Sequence, residues 1–386
     1  MVIQEMIKGY EDSMFDMLET LVMIDSGSYC KAGVDRVGQI IAAALQQSGF
    51  LIEVLPQTNY GNHLIGRRTG DSPGNLLLIG HLDTVFPAGS AVANPYRIIE
   101  GKAYGPGVLD MKACLVSMIF AIKGLLETGA THLPDITVML IGDEEIGSQT
   151  GKELIMTEGK KADWALVIEG ARANGAIVIE RKGTGFLDIW VKGRAAHAGN
   201  EPEVGRSAIE ALACIILELK ALNDFAAGTT VTVGEFCGGT ARNVVAEDAS
   251  AKVDLRFRTK EAADRLFEKI RLILDQSEFD GIDIRYDLIF NRPPLVQVPG
   301  SECLMQIVKD VMMELGIEFK TAIAGGASDG NFVSDLGVPT IDGLGPVGGM
   351  MCSPEEYLDV ASLTQRCSML ALIIKQIGTL GGRMHD

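Results

Sequence analysis

The chain lacks the marks of several large classes of protein. Its 386 residues contain no CxxC pair, and its seven cysteines, an odd number, stand at 30, 114, 214, 237, 303, 352 and 367. A disulfide framework is therefore not expected, and a reducing, cytoplasmic setting is. No stretch reaches the ~18 uncharged apolar residues a bilayer span needs. The longest candidate, 111–126, is interrupted by Lys112 and Lys123. The N-terminal stretch MVIQEMIKGYEDSMFDMLETLVMI carries charges throughout and repeats apolar residues at helical spacing, so it reads as helix and not as a secretory leader. Internal repeats and low-complexity tracts are missing. Positive charge is scarce: 34 Lys and Arg stand against 51 Asp and Glu, a net charge of −17. DNA, RNA and anionic membranes repel such a chain and are not expected partners.

What is present is enough apolar material for a large core, 47% of the residues. At roughly 150 residues per domain, the length predicts two or three domains. Up to about position 182, helical and strand patterns alternate. Met6, Tyr10, Met14 and Leu18 share one helical face, and Val34, Val37, Ile41 and Leu45 share another. The apolar runs 75–80 (NLLLIG), 136–142 (ITVMLIG) and 164–169 (WALVIE) predict strands buried on both faces. Between the first two, 110–127 predicts a helix that stops at Gly129. From Gly183 the texture changes to alternating antiparallel strands at 186–192, 230–236, 251–257 and 282–290, with helices at about 204–222 and 261–274. Strand–helix–strand–strand–helix–strand is the ferredoxin-like order. After Arg292-Pro293-Pro294 the α/β alternation resumes: helix 301–315, strand 318–323, helix near 329–336, strand 338–342 and helix 356–376. The expected organisation is an α/β domain, 1–182 and 291–386, interrupted by a small α+β domain at 183–290.

Open α/β sheets build sites where their strands end. NLLLIG ends in His81-Leu82-Asp83, ITVMLIG in Asp143-Glu144-Glu145, and WALVI in Glu169. Asp110, in GPGVLDMKA, enters a helix from a glycine-rich loop. Taken singly, these are ordinary features: Asp110 as an N-cap, Asp143 to Glu145 as an acidic first helical turn. Together they place one imidazole and several carboxylates at one sheet edge, which is electrostatically untenable without cations. This N/O donor mix suits zinc, with cobalt or manganese as alternatives.

GHLDTV, GPGVLDMKA, GDEEIGS and Glu169, in this order and spacing, resemble the co-catalytic metallopeptidase and amidohydrolase family. That family includes glutamate carboxypeptidase, acetylornithine deacetylase, succinyl-diaminopimelate desuccinylase and aminoacylase. GRAAHAG around His197, GGTARNVV around Asn243, VDLRFR around Arg256, RPP at Arg292, GGASDG around Asp329 and SPEEY after Cys352 extend the resemblance over nearly the whole chain. The wording is most like the glutamate carboxypeptidase branch. The resemblance implies a zinc-exopeptidase-like α/β domain, with a mixed, largely parallel sheet between helices, and a ferredoxin-like dimerisation or lid domain inserted in it. It implies two zinc ions per subunit. Asp110 would bridge them, His81 and Glu169 would hold one, and Glu145 and a last ligand the other. Glu144 would be the general base, and Asp83 would orient His81. His197 would reach across a homodimer to stabilise the oxyanion, with Asn243 doing similar work. Arg292 and Arg256 would grip a substrate carboxylate. The substrate would be a small molecule or short peptide with a free carboxylate, cleaved as by a glutamate carboxypeptidase or, alternatively, an N-acyl amino acid deacylase.

The last ligand departs from the family pattern. A histidine is expected just before SPEEY, but this chain reads GGMMCSPEEY, with Cys352 there. His63, His132 and His385 are not obvious replacements. Three readings stand. Cys352 is itself the ligand, with Zn–S of about 2.3 Å against about 2.0–2.1 Å for Zn–N; or the second site is weak or empty; or the chain is a non-catalytic binding protein on an enzyme's scaffold. The survival of Glu144, Glu145, Asp110, Glu169, His81 and His197 argues against the third. A thiolate ligand would make the metal a weaker Lewis acid and the site sensitive to oxidation.

Overall fold

The computed structural model describes residues 2–380, so His385 lies outside the described residues. The chain divides into two compact units. One takes the chain up to Glu180, then Val296–Ile323, then Ser328 onward; the other takes Arg181–Leu295 with Ala324–Ala327.

The first unit is built on a six-stranded mixed sheet. Its order is Leu51–Leu55, His63–Arg68, Asp135–Ile141, Asn75–His81, Trp164–Val167, Thr340–Ile341. The first three strands pair antiparallel. The remaining pairings are parallel. Successive side chains on a strand point to opposite faces, and two separate cores result. Leu76, Leu78, Val138 and Leu140 pack with the helices Glu11–Val22, Lys31–Gln47, Cys114–Glu127 and Val360–Leu380. Leu77, Ile79, Met139 and Ile141 pack with Lys152–Gly159 and Gly330–Asp335. Burial on both faces is why these runs are continuously apolar.

Several elements differ from the sequence reading. The first helix is two, Val2–Lys8 and Glu11–Val22, broken where Tyr10 N donates to Ile7 O in a tightened turn beside Gly9. The helix expected from 110 begins only at Cys114. Before it, 108–113 form a wide turn in which Asp110 (φ −108°, ψ 93°) is not helical, and the Asp110–Met111 peptide is cis. The strands Leu51–Leu55 and His63–Arg68 escaped the apolar-run criterion: the first is an edge strand and largely exposed, and the second, though interior, carries polar residues at His63, Arg67 and Arg68. A small antiparallel sheet, ordered Gly348–Gly349, Tyr357–Asp359, Lys102–Tyr104, Arg97–Ile99, also went unread, since strands of two or three residues carry no period. It matters to the site: Gly348–Gly349 and Tyr357–Asp359 pair with each other, and the loop between them carries Cys352.

The second unit is a four-stranded antiparallel sheet ordered Thr230–Gly238, Asp248–Phe257, Gly183–Lys192, Asp283–Arg292. This is the pairing order a ferredoxin-like chain path gives. Leu187, Ile189, Val191, Val253 and Leu255 pack with its two helices, Ala208–Lys220 and Lys260–Gln276. Each helix starts at a hydroxyl cap: Ser207 accepts from Glu210 N and Thr259 from Ala262 N.

Candidate metal centre

His81 closes the strand Asn75–His81, and its ring is almost wholly buried. Nδ1 lies 3.0 Å from the Asp83 carbonyl oxygen and 3.4 Å from Asp83 Oδ1. With Nδ1–H donating to that carbonyl, Nε2 presents its lone pair to Asp110 Oδ1 at 3.2 Å and to Glu169 Oε1 at 3.5 Å. Three acceptors facing one another need a positive charge among them, either a proton or a metal. Burial alone lowers the pKa of His81, but hydrogen bonds to Asp110, Asp83 and Glu169 outweigh it and raise the pKa well above 6.5.

The Asp83 carboxylate does more than face His81. Oδ2 accepts from Ser28 Oγ at 2.7 Å and from Glu145 N at 3.1 Å, and Oδ1 accepts from Glu144 N at 3.1 Å. One buried carboxylate therefore holds the turn that carries the acidic pair, while the imidazole is oriented chiefly by the Asp83 carbonyl. Glu144 and Glu145 sit on a short 3-10 turn, Glu144–Ile146, that follows the strand Asp135–Ile141. Their neighbour Asp143 turns inward instead. Its Oδ2 accepts from Thr150 N at 2.6 Å and Thr150 Oγ1 at 2.9 Å. Asp329, of GGASDG, accepts from Ser148 Oγ and braces the same turn.

Gly107 (φ 69°) lets the wide turn approach the His81 strand end, since a Cβ there would lie 2.5 Å from Thr84 Cγ2. That approach delivers Asp110. The donor atoms of His81, Asp110 and Glu169 lie within 4.8 Å of one another, and so do those of Asp110, Glu145 and Cys352. Asp110 belongs to both groups. Cys352 Sγ lies 3.5 Å from Asp110 Oδ2. Glu145 Oε1 is buried with no hydrogen-bond partner. Burial first, then the Asp110 charge, pushes the Glu145 pKa up to about 10. Cys352 lies on an exposed turn, yet its thiol is held well above 9 by local desolvation and then by Glu145 and Asp110. An orphaned carboxylate oxygen and an unwilling thiol beside a shared aspartate are what a divalent cation would resolve. The donor chemistry fits a metal at both groups.

The sequence reading gave Glu356 no role. It is 1% exposed. Oε1 accepts from Leu109 N (2.7 Å) and Asp110 N (2.9 Å), and Oε2 accepts from Cys352 N (3.2 Å). Burial and the Asp110 charge raise its pKa to about 7 against the opposing pull of those amides. The only sequence signal was its place in SPEEY. His63 is occupied elsewhere: Nδ1 accepts from Gly142 N at 3.1 Å, and Nε2 lies 3.0 Å from Thr150 Oγ1. Beside Glu145, a cavity of about 440 Å³ is lined by Tyr29, Val85, Phe86 and Ile146.

The four remaining candidates lie in the second unit. His197 is exposed. Its Nδ1 accepts from Gly199 N and Asn200 N, both at 3.1 Å. Ala198 N donates to Asn243 O at 3.0 Å and His197 bridges Val244, which brings the segments of His197 and Asn243 side by side. Arg256 is already engaged by Asp254, through Nε–Oδ1 at 2.7 Å and Nη2–Oδ2 at 2.8 Å. Arg292 is buried at the end of Asp283–Arg292, opposite Thr184.

Comparison with known proteins adds four findings. The family model for peptidase family M20/M25/M40 matches residues 77–376. Carboxypeptidase G2 of a Pseudomonas species is 28% identical over 376 residues, covering 95% of this chain and 90% of that protein. A succinyl-diaminopimelate desuccinylase of Pseudoalteromonas atlantica is 29% identical over 360 residues, covering 88% and 93%. Among solved structures, the M20 family metallo-carboxypeptidase Sso-CP2 of Sulfolobus solfataricus superposes with a TM-score of 0.79 at 20% identity, covering 95% of this chain and 99% of the other.

Proposed function

Because the chain belongs to peptidase family M20/M25/M40, whose members are metal-dependent hydrolases, we propose that it hydrolyses an amide bond next to a free carboxylate, in the manner of a glutamate carboxypeptidase. The observation that carries this reading is the pair of donor groups sharing Asp110, with Glu144 beside them. His81, Asp110 and Glu169 would hold one zinc, and Asp110, Glu145 and Cys352 a second, with cobalt or manganese as alternatives. Bound there, the metals lower the pKa of a water and polarise the scissile carbonyl. Family membership favours an enzyme over a binding protein on the same scaffold.

Glu144 takes a proton from the attacking water and delivers it to the leaving nitrogen. Asp83 fixes Glu144 by its backbone amide, so the base does not drift from the reacting atoms. His197 and Asn243 donate to the oxyanion, and the inserted unit assembles a homodimer. Arg292 pairs with the substrate carboxylate. Arg256 is the weaker candidate for that task, since Asp254 already occupies its guanidinium. The apolar cavity beside Glu145 gives room to an uncharged part of the substrate.

The alternative substrate class is an N-acyl amino acid, because the desuccinylase relative matches at 29% identity against 28% for the carboxypeptidase relative, over a somewhat smaller share of the chain. The test compares peptides ending in glutamate with N-acetyl and N-succinyl amino acids, using zinc-loaded protein. Release of C-terminal glutamate supports the leading reading, and preference for the acyl substrates moves the assignment to the second. Turnover at the wild-type rate by Glu144→Gln overturns the proposed mechanism.

A further inference from the structure

We infer that Glu356 is a positioning residue that sets the spacing between the Asp110 carboxylate and the Cys352 thiol, and so governs the second donor group selectively. This rests on the reading of Asp110, Glu145 and Cys352 as metal ligands.

Glu356 spends both carboxylate oxygens on backbone. Oε1 receives the N–H of Leu109 and of Asp110, and Oε2 that of Cys352. Among the described residues no lysine or arginine forms a close ion pair with it, although the charge of the buried Lys112 acts on it at longer range. A buried carboxylate hydrogen-bonded only to amides is costly, so this is an expensive way merely to fill space. What it joins is specific. One side is the wide turn that presents Asp110, where the backbone leaves helical geometry. The other is the turn that presents Cys352, which holds a left-handed backbone at φ 62°, as does Met350 at φ 56°. Residues other than glycine adopt that conformation only where their surroundings impose it. The Cys352 N–H bond to Oε2 is part of that imposition, together with Ser353 N donating to Met350 O at 3.2 Å.

The carboxylate itself is anchored. Glu356 N donates to Ser353 O at 3.0 Å, and the next residue, Tyr357, pairs with Tyr104 in the small sheet. Glu356 is thus a rigid strut between two ligand-bearing turns, and its hydrogen bonds go to neither His81 nor Glu169. Three N–H groups on two oxygens also explain why glutamine is not equivalent. Its single oxygen can keep Leu109 and Asp110, but its NH2 group then faces the Cys352 N–H, donor against donor.

The experiment uses the full chain, stripped of metal and titrated with Zn²⁺, as wild type, Glu356→Gln and Glu356→Ala. Binding is followed by calorimetry and metals per chain by elemental analysis. Amide exchange and melting are measured on the metal-free forms. The expected result is two zincs in wild type. In Glu356→Gln the second-site affinity falls by about ten- to a hundredfold, the range for losing a ligand-orienting partner, and the first is unchanged. Metal-free Glu356→Gln keeps its melting temperature and loses exchange protection at Cys352 but not at Leu109. If Glu356→Ala does not fold, the glutamine variant carries the test alone. Two zincs at wild-type affinity in Glu356→Gln overturn the inference. So does parallel weakening of both sites with a lowered metal-free melting temperature, which marks a merely structural residue. A wild type that takes up only one zinc overturns the two-group reading and this inference with it. Two zincs without amide hydrolysis defeat the proposed reaction while leaving the strut intact.

Discussion

The thiol of Cys352 sits 3.5 Å from Asp110 Oδ2, the oxygen on the far side from the one that faces His81. A single aspartate thus presents one oxygen to an imidazole and the other to a sulfur. If both donors serve metals, Cys352→Ala drops the zinc content from two per chain to one and lowers kcat by at least about tenfold. Cys352→His restores both. Elemental analysis beside steady-state kinetics reads this out, and an unchanged zinc content in Cys352→Ala removes the sulfur from the ligand set.

In the proposed mechanism Glu144 moves protons and does not hold metal. Glu144→Gln is expected to lower kcat by about a hundredfold to ten-thousandfold, the usual worth of a general base, with zinc content and KM close to wild type. A variant that loses zinc in step with activity makes Glu144 a ligand instead.

Asp83 holds Ser28, Glu144 and Glu145 with one carboxylate. Asp83→Asn replaces an acceptor oxygen by a donor facing at least one of those groups. Zinc affinity should fall by about ten- to a hundredfold, with kcat falling alongside. Ser28→Ala, which removes only the hydroxyl, should cost much less. Equal effects from the two substitutions contradict the role given to Asp83.

Removing the metals should leave a protein whose stability falls as pH rises. In the metal-free fold the Glu145 pKa is pushed up to about 10 by burial and then by the Asp110 charge, against an ordinary 4.5. The folded state therefore holds a proton that the unfolded state releases. That contribution is fully present below about pH 4.5 and is lost as pH rises toward 10. Chelator-treated protein should melt at lower temperatures at pH 9 than at pH 6. Zinc about a hundredfold above its dissociation constant adds ~2.7 kcal/mol and flattens the slope. Thermal melts with and without chelator at both pH values decide it.

Far from the site, Arg67 forks onto the buried carboxylate of Glu158, through Nη1–Oε2 at 2.6 Å and Nη2–Oε1 at 3.0 Å, with Lys161 at 2.8 Å. Burial alone would raise the Glu158 pKa, but the Arg67 and Lys161 bonds prevail and lower it. The stabilisation is present above the ordinary glutamate pKa and is lost as pH falls through the depressed native value. Arg67→Met should cost about 1–2 kcal/mol at pH 7, discounted for the half-exposed guanidinium. The cost should shrink in acid. Denaturant unfolding at pH 7 and pH 3 measures both limbs, and a cost independent of pH assigns it to packing.

Much of the centre was readable before any coordinates, for a physical reason. Strands buried on both faces are unbroken apolar runs, so the first polar residue after each run marks the sheet edge. His81 and Glu169 stand at two of those places, and Asp143 at the third, two residues before Glu145. Asp110 announced itself through the glycines that let its turn approach. Glu356 gave no such sign, because its partners are backbone amides, and a backbone amide has no letter in a sequence. The two- and three-residue strands that flank the Cys352 loop were hidden for another reason, since strands so short carry no period. Asp83 was expected to steer the imidazole with its carboxylate; the carbonyl stands closer, a distinction between atoms of one residue that no residue pattern encodes. The break at Gly9 was written in the chain but outweighed by an apolar stripe running straight through it.

Asp110 and Cys352 stand 242 positions apart, which gives the centre an order of assembly. During synthesis, chains fold from the N-terminal side, and His81, Asp110 and Glu169 leave the ribosome long before Cys352 is joined to the chain. The His81 group takes no donor from beyond Glu169. The Cys352 group waits until Tyr357–Asp359 docks and Glu356 reaches across to the earlier turn. A chain halted anywhere before that point carries half a centre, with Glu145 still wanting its third partner.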